Sequence, residues 1–153
     1  MERFKVLDIS GDVGIKAFGK SIDEAFINAA IGMYSLITNL DSIKEKKTIN
    51  VSVGSPSLDG LLVSWLNELI FHFDAYGFIG KKTEITEFAP TLTSVRVNSD
   101  LPPQSFILKA SISGEDFDTK RHESKLLIKA ATYHKLRIEK IDDMWEIDVI
   151  FDI

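Results

Sequence analysis

The sequence predicts an α+β fold, with a mainly antiparallel β-sheet and two helices inserted early in the chain. Two segments have the three- and four-residue apolar spacing of amphipathic helices, and most of the others alternate apolar and polar residues as strands do. Strands outnumber helices and do not alternate with them, which favours an antiparallel sheet. A length of 153 residues with 44% apolar residues fits a single domain, residues 1–153.

The first predicted helix begins at Ser21, whose hydroxyl can cap its first turn, and Glu24 completes a capping-box pattern. Its apolar stripe consists of Ile22, Ala25, Phe26, Ala29, Ala30, Met33 and Ile37. The second predicted helix runs from Leu58 to Tyr76 and ends near Gly77, a typical residue after a helix. Its apolar stripe consists of Leu58, Leu61, Leu62, Trp65, Leu66, Leu69, Ile70 and Phe73. Phe71 falls on the polar side.

The rest of the chain is predicted to form strands. Their approximate ranges are 4–8, 13–18, 48–53, 83–97, 105–113, 125–139 and 144–153. Pro102 and Pro103 separate the fourth strand from the fifth. The segment 125–139 is long for one strand, so we expect it to be bent or bulged. In the last strand, Trp145, Ile147, Val149, Phe151 and Ile153 share one face.

Composition excludes several classes of function. The chain has no cysteine, which rules out disulfides, thiolate metal sites and cysteine nucleophiles, and which fits a cytoplasmic protein. The start, MERFKVLDIS, does not resemble a signal peptide, and charged residues interrupt the most apolar stretch, so no membrane span is expected. The formal charge of −5 argues against direct nucleic-acid binding, although a local basic patch could survive in an acidic total.

No catalytic residue is predicted. The sequence lacks a GxSxG motif, a phosphate-binding glycine loop and an HExxH motif, and its three histidines lack zinc-ligand spacing. One irregularity lies in the segment 125–139. If this segment is a strand, the polar residues Thr132 and His134 lie on the same face as its apolar residues. Either a bulge turns them outward, or the histidine is a satisfied core residue, or the two line a polar pocket beneath the sheet. Asp8 shares parity with Phe4 and Val6 in the same way.

A second set of polar residues is acidic. Asp12 begins the second strand within DISGDVG, whose glycines would let the backbone come close to a ligand. Asp152 lies near the end of the last strand, and Ile153 adds a terminal carboxylate. If these two strands are neighbours, the oxygens can converge on a hard cation, such as Ca²⁺ or Mg²⁺. Glu146 and Asp148 lie on the same face of the strand as Asp152, so spacing alone favours a solvated acidic face.

The sequence resembles the archease family in five blocks that cover nearly the whole chain. Residues 8–19 resemble its opening D-H-T-A-D-[IV]-G-[IL]-x-A-x-G, and the segment SIDEAFINAAIGMYSLITN matches its first helix. Residues 61–78 resemble its L-L-x-x-W-L-N-E-L block, and residues 114–140 resemble its G-E-x-[FIL]-D…H…[IV]-K-A-x-T-Y-H block. Residues 145–153 resemble its W-x-x-x-V-[IV]-[FL]-D-[IV] ending. The order and spacing of the five blocks make the resemblance specific.

The resemblance implies a cytoplasmic accessory protein of the GTP-dependent tRNA-splicing RNA ligase. Such a protein promotes guanylylation of the ligase and its multiple turnover, and it can broaden nucleotide use. The resemblance also implies a divalent metal, seen as calcium in the family, with Mg²⁺ or Mn²⁺ as alternatives. Its expected ligands here are Asp12, Asp152 and Ile153.

This sequence departs from the family at one motif position and leaves others without a role. Ile9 replaces the usual histidine of the opening block, and isoleucine can neither donate, accept nor ligate. Other matches to motif positions, to which we assign no role, are Asp8, Lys129, Thr132 and His134.

Two other classes of function remain open. One is a chaperone-like interaction module with a structural metal. The other is a stand-alone metal-dependent nucleotide hydrolase or nucleotidyltransferase, with His134 as general base.

Overall fold

Strands and helices follow one another nearly as the sequence predicts. The structure is a computed structural model, and it describes residues 2–92 and 104–153. The elements in chain order are β1 (Phe4–Ile9), β2 (Asp12–Gly19), α1 (Ile22–Ile37), a 3₁₀ turn (Leu40–Ser42), β3 (Lys47–Ser55), α2 (Leu58–Tyr76), β4 (Phe78–Leu92), β5 (Gln104–Asp116), β6 (Ala130–Ala131), β7 (Arg137–Ile141) and β8 (Met144–Asp152).

The strands form two sheets in which every described pair is antiparallel. The larger sheet has five strands in the order β1-β2-β8-β6, with β7 also paired to β8. The smaller sheet has three strands in the order β3-β5-β4. The α+β prediction is therefore confirmed, although strands that the sequence assigned to one sheet are divided between two.

The first helix, α1, starts where its capping residue predicts. The Ser21 hydroxyl accepts a hydrogen bond from the backbone N–H of Glu24 at 3.2 Å, which satisfies one free donor of the first turn. The buried face of α1 packs against β2, β4 and β8. At its other end, the backbone N–H groups of Lys125 and Leu126 donate to the carbonyl oxygens of Ile37 and Leu36 at 2.9 and 3.0 Å. A distant segment thus caps the end of this helix.

The second helix, α2, begins and ends at the predicted residues. The Ser57 hydroxyl accepts a hydrogen bond from the backbone N–H of Gly60 at 3.0 Å, and Gly77 ends the helix with a φ of 70°. Its buried face packs against β3, β4, β5 and β6. Phe71 is 51% exposed, as its place on the polar side predicts. Neither this helix nor any other in the described chain is long and apolar enough to cross a membrane.

Removing the cap of α2 should destabilise the protein. We expect Ser57→Ala to lower the free energy of unfolding by about 1 kcal/mol, because the N–H of Gly60 loses its acceptor. Chemical denaturation measures this change. Ser64→Ala is the matched control, since Ser64 lies inside α2, where alanine is a better helix former. Equal destabilisation by both substitutions would show that the cap contributes nothing.

One buried apolar cluster joins both sheets to both helices. Ile15 in β2, Ile112 in β5 and Ile147 in β8 are each 0% exposed, as is Trp65 in α2. The Trp65 indole N–H also donates to the carbonyl oxygen of Phe26 in α1 at 3.1 Å. The two helices are therefore linked at the centre of the molecule by both packing and a buried hydrogen bond.

Two predicted strands differ from the observed ones. The segment 125–139 is not one bent strand. It contains the two-residue strand β6 and then a turn in which Lys135 has a φ of 53°, before β7 begins. The strand predicted at 83–97 begins earlier, at Phe78, directly after the left-handed Gly77. Its predicted end and the double proline lie outside the described residues.

Candidate functional site

A tight hairpin between β1 and β2 places Asp12 at the start of its strand. Ser10 and Gly11, the two residues of the turn, have φ values of 50° and 87°, which suit a two-residue hairpin turn and favour glycine. Gly14 has a different role, because a Cβ there would lie 2.4 Å from the carbonyl oxygen of Val149. The two motif glycines therefore serve the turn and the close pairing of β2 with β8.

The pairing of β2 with β8 brings the three predicted metal ligands to one end of the larger sheet. Val13 is paired with Phe151, whose side chain is buried. The next residues outward on the two strands are Asp12 and Asp152, and they lie on the opposite face of the sheet from Phe151. Ile153 follows directly and is 48% exposed. The turn after β1 and the last residues of β8 thus meet at this point.

The neighbouring segment contributes the motif residues that had no assigned role. The backbone N–H of Lys129 donates to the carbonyl oxygen of Asp152 at 2.8 Å. The Thr132 hydroxyl donates to the carbonyl oxygen of Ile150 at 2.8 Å. The His134 side chain is 57% exposed, and its Nε2 lies 3.7 Å from Oδ2 of Asp12. The turn before β7 therefore directs His134 outward, and the interpretation as a core histidine is wrong.

Asp8 is also exposed, for a simpler reason. It lies on β1, the edge strand of the sheet, and is paired with Val13 of β2. Val6 on the same strand is 54% exposed, so this end of the inner face is only partly covered. An aspartate at this position needs no buried partner.

Ion pairs separate the acidic residues of β8 into two groups. Arg137 contacts Asp148 at 2.9 Å and Glu146 at 3.0 Å, and Lys16 contacts Asp148 at 2.9 Å. The hydrogen bond with Asp148, followed by those with Glu146 and Glu139, raises the pKa of Arg137. Glu146 and Asp148 are thus neutralised by cations from neighbouring strands.

Asp12 and Asp152 have no such partner. Among the described residues, no lysine or arginine forms an ion pair with either carboxylate. The described chain also has no group of three or more histidine and carboxylate side chains placed to hold a metal ion. A cation here would therefore need main-chain or water oxygens besides these two carboxylates. Oxygen donors of this kind suit a hard ion, so the donor chemistry fits calcium or magnesium.

The sequence reasoning missed the residue that holds the segment beside Asp152. The Asn67 side-chain oxygen accepts a hydrogen bond from the backbone N–H of Ala131 at 2.8 Å, which fastens β6 to α2. The available signal was its place in the W-L-N-E block, where a polar residue follows the buried Trp65 and Leu66. Asn67 is only partly exposed, although the helical spacing places it outside the apolar stripe of α2.

A buried carboxylate holds the start of the same connection. Glu115 is 2% exposed, and it accepts a hydrogen bond from the Lys44 backbone N–H at 2.6 Å. Its carboxylate also pairs with the Arg121 guanidinium and lies 3.3 Å from Nε2 of His122. The His122 Nδ1 accepts from the Asp118 backbone N–H at 2.8 Å, so its proton lies on Nε2 and points to Glu115. This network orders residues 115–122.

The Glu115 network should make stability depend on pH in the acid range. The hydrogen bond from Arg121 is the largest of several contributions that lower the pKa of Glu115 from 4.5 to about 2. The carboxylate therefore stabilises the fold fully above the unfolded pKa, and this contribution is lost as the pH falls from 4.5 toward 2. We expect Glu115→Gln to lower the melting temperature at neutral pH, with the gap to wild type narrowing as the solution is acidified.

Thermal melts of both proteins across this pH range measure the effect. The control is Glu87→Gln, since Glu87 is half-exposed and its carboxylate pairs with Lys109 at 3.4 Å. That change should matter little at any pH. A constant gap for Glu115→Gln would contradict the assignment.

Comparison with known proteins matches the whole chain. The profile of the Archease protein family (MTH1598/TM1083) matches residues 4–153. The chain is 31% identical over 154 residues to the protein archease of Pyrococcus abyssi and 29% identical over 153 residues to that of Sulfurisphaera tokodaii. Both alignments cover 100% of each chain.

Two solved structures have the same fold. The solution structure of Methanobacterium thermoautotrophicum protein 1598 aligns with a TM-score of 0.77 at 25% identity and covers 100% of both chains. The crystal structure of an archease from Thermotoga maritima, described as a possible chaperone, aligns with a TM-score of 0.59 at 15% identity. It covers 97% of this chain and 96% of its own, and at that identity it shows the fold alone.

Fold and site together define a small two-helix α+β protein with a pair of unneutralised carboxylates at one end of its larger sheet. With the profile match over residues 4–153, the chain belongs to the archease family.

Proposed function

We propose that this chain is an accessory protein that activates a GTP-dependent tRNA-splicing RNA ligase. In this proposal it promotes guanylylation of the ligase and thereby its multiple turnover. Membership of the archease family supports the proposal, together with one observation of geometry. Asp12 and Asp152 lie on adjacent strands, on the same face, and neither has a lysine or arginine partner among the described residues.

The proposal includes a divalent metal, with calcium first and Mg²⁺ or Mn²⁺ as alternatives. Asp12, Asp152 and a main-chain oxygen of Ile153 would hold it. Guanylylation is a nucleotidyl transfer, and a bound cation supplies charge stabilisation for such a step. Asp12 and Asp152 provide the anionic oxygens, while Lys129 fixes the backbone of Asp152 through its N–H. The His134 ring, 3.7 Å from the Asp12 carboxylate, lies at the rim of the site.

The replacement of the family's histidine by Ile9 does not change this donor set. Ile9 is paired with Asp12 across the hairpin, so the substitution lies directly beside the site. The carboxylates of Asp12 and Asp152 are unaffected, because neither depends on a hydrogen bond from that position. We therefore propose that metal binding is retained and that any altered activity arises at the ligase.

A guanylylation assay with the cognate ligase tests the proposal. Ligase guanylylation is measured with and without this protein, across separate titrations of calcium and magnesium and with a chelator as control. We expect faster guanylylation and more turnovers in its presence, with the stimulation lost on chelation. Equal rates with and without the protein would refute the activator role. We also propose that the protein is not itself an enzyme. Nucleotide turnover by the protein alone would refute that proposal.

One observation favours a second function, a chaperone-like interaction module whose metal is structural. Phe71 and Tyr76 on α2 are 51% and 65% exposed and pack edge to face, which forms an apolar surface. In that case chelation should lower the melting temperature together with the activity. In the activator proposal, chelation removes activity with little change in melting temperature, so a thermal melt with and without chelator separates the two.

A further inference from the structure

Two adjoining cavities form one groove between α1 and the start of β4. Their volumes are about 450 and 330 Å³, and both are lined by Arg3, Ile31 and Lys81. We call the combined feature the α1–β4 groove. Cavities of roughly 300–1,000 Å³ are the size that small ligands occupy in proteins.

The walls of the α1–β4 groove carry more positive than negative charge. Its cations are Arg3, Lys81, Lys82 and Lys125, and its acidic residues are Glu24 and Asp41. In the described part of the chain, none of the four cations forms an ion pair. An excess of unneutralised positive charge in a protein of net charge −5 marks a place that favours an anion.

A β-bulge explains why two consecutive lysines line the same groove. In a regular strand Lys81 and Lys82 would point to opposite faces. The register between β4 and β5 shifts between Gly80 and Lys82, which leaves Lys81 outside the ladder. Bulges redirect side chains in this way and often lie next to functional sites. Both lysines therefore line the larger cavity.

Hydrogen bonds hold two of the ammonium groups at the wall without using up their donors. The Lys81 ammonium donates to the carbonyl oxygen of Leu40 at 2.6 Å, and the Lys125 ammonium donates to that of Ser35 at 3.2 Å. Leu40 and Ser35 both line the smaller cavity. An ammonium has three N–H donors, so each lysine keeps two for a ligand.

A buried hydroxyl without a partner lies behind the wall of the smaller cavity. Thr38 is 0% exposed and lines this cavity, and its Oγ1 has no hydrogen-bond partner among the described residues. A buried hydroxyl without a partner is unfavourable. Because Oγ1 is itself covered, the charged side chains of the wall, and not this hydroxyl, carry the preference for an anion.

The α1–β4 groove is separate from the acidic site. The carbonyl oxygen of Arg3 accepts a hydrogen bond from the backbone N–H of Phe18, near the end of β2. Asp12 begins the same strand, and the strand rise places these two ends about 20 Å apart. The positive groove and the carboxylate pair therefore lie at opposite ends of β2.

We propose that the α1–β4 groove binds a small phosphate monoester. Arg3, Lys81 and Lys125 supply the donors for a dianionic phosphate, and the apolar side chains of Ile31 and Phe4 supply a surface for the attached organic group. A long nucleic acid fits less well, because Glu24 and Asp41 interrupt the positive wall.

Titration of the ¹⁵N-labelled protein with AMP, followed by NMR, tests the proposal, with adenosine and inorganic phosphate as comparisons. We expect saturable binding of AMP that shifts amide signals of residues 31–41 and 81–83, weaker binding of phosphate, and none of adenosine. Lys81→Gln should weaken AMP binding about tenfold, because it removes a charge-assisted hydrogen bond. Lys140→Gln, the control, removes an exposed lysine of β7 and should leave the affinity unchanged.

Lys125→Gln guards against misfolding of the Lys81 variant, since Lys125 lies on a different segment of the groove wall. It should also weaken AMP binding about tenfold with little change in melting temperature, because the Lys125 ammonium makes an exposed hydrogen bond of 3.2 Å to the carbonyl oxygen of Ser35. Absence of saturable AMP binding, or equal binding of adenosine, would overturn the proposal. The proposal would also fail if Lys140→Gln weakened binding as much as Lys81→Gln. It would fail as well if an oligonucleotide without a terminal phosphate bound as tightly as AMP.

Discussion

Asp12→Asn is expected to lower the affinity for calcium by more than about 100-fold, because it removes one of the two side-chain carboxylates proposed to hold the metal. Changes in groups that merely support metal ligands already cost about 10- to 100-fold, so the loss of a direct anionic ligand should cost more. Asp152→Asn should have the same effect, since Asp152 lies beside Asp12 on the adjacent strand. Isothermal titration of chelator-treated protein with calcium, and separately with magnesium, measures both affinities.

The matched control for this prediction is Asp148→Asn. Asp148 lies on the same face of β8, but Arg137 and Lys16 already neutralise it. Its substitution should leave the calcium affinity within about threefold of wild type. The negative charge that it removes acts on the metal only at longer range and is screened by solvent ions. Without metal, Asp12→Asn should not lower the melting temperature, because asparagine keeps the shape and removes a repulsive charge. Wild-type affinity in both Asp12→Asn and Asp152→Asn would remove the metal from the proposed function.

Trp65→Ala should cause the largest loss of stability among single substitutions in α2. Trp65 is 0% exposed, and its indole N–H donates to the carbonyl oxygen of Phe26. Truncation leaves a cavity between the helices and an unsatisfied carbonyl, at a cost of about 3–5 kcal/mol. Small proteins have total stabilities of about 5–15 kcal/mol, so this substitution should strongly lower the urea concentration at which half of the protein is unfolded.

Tyr76→Ala is the comparison for this prediction, since Tyr76 is an aromatic residue on the same helix that is 65% exposed. Its loss should change the free energy of unfolding by no more than about 0.5 kcal/mol. Trp65→Phe should fall between the two, because it keeps part of the volume and loses the hydrogen bond. Equal stability of Trp65→Ala and Tyr76→Ala would show that Trp65 does not anchor the core.

Local signals in the sequence predicted the helices almost to the residue. Ser21 and Gly77 act through neighbours only a few residues away, so their effect on helix ends can be read directly from the chain. The segment 125–139 misled because alternation does not show where a strand stops. Its interruption depends on the turn at Lys135, which has a left-handed backbone that few lysines adopt. The division into two sheets depends on pairings between distant strands, which no local pattern encodes.

The candidate site was predictable only in part for the same reason. The alternation of residues along β8 places Asp152 on the same face as Glu146 and Asp148. It does not show which of the three carboxylates are neutralised. The neutralisation depends on Arg137 and Lys16, which come from two other strands. The buried state of Glu115 likewise depends on Lys44 and on residues after β5. Resemblance to a family named the expected metal ligands, and the pairing of β2 with β8 brings Asp12 and Asp152 to the same end of the sheet.

The capping of α1 by Lys125 and Leu126 has a consequence for how the molecule opens. These two amides depend on the last turn of the helix for their acceptors, and that turn depends on them for its donors. Fraying at either place therefore exposes both. The end of α1 and the segment 125–129, whose Lys129 N–H donates to Asp152, should open as one cooperative unit. The backbone that supports the carboxylate pair is in this way coupled to a helix far from it in the chain.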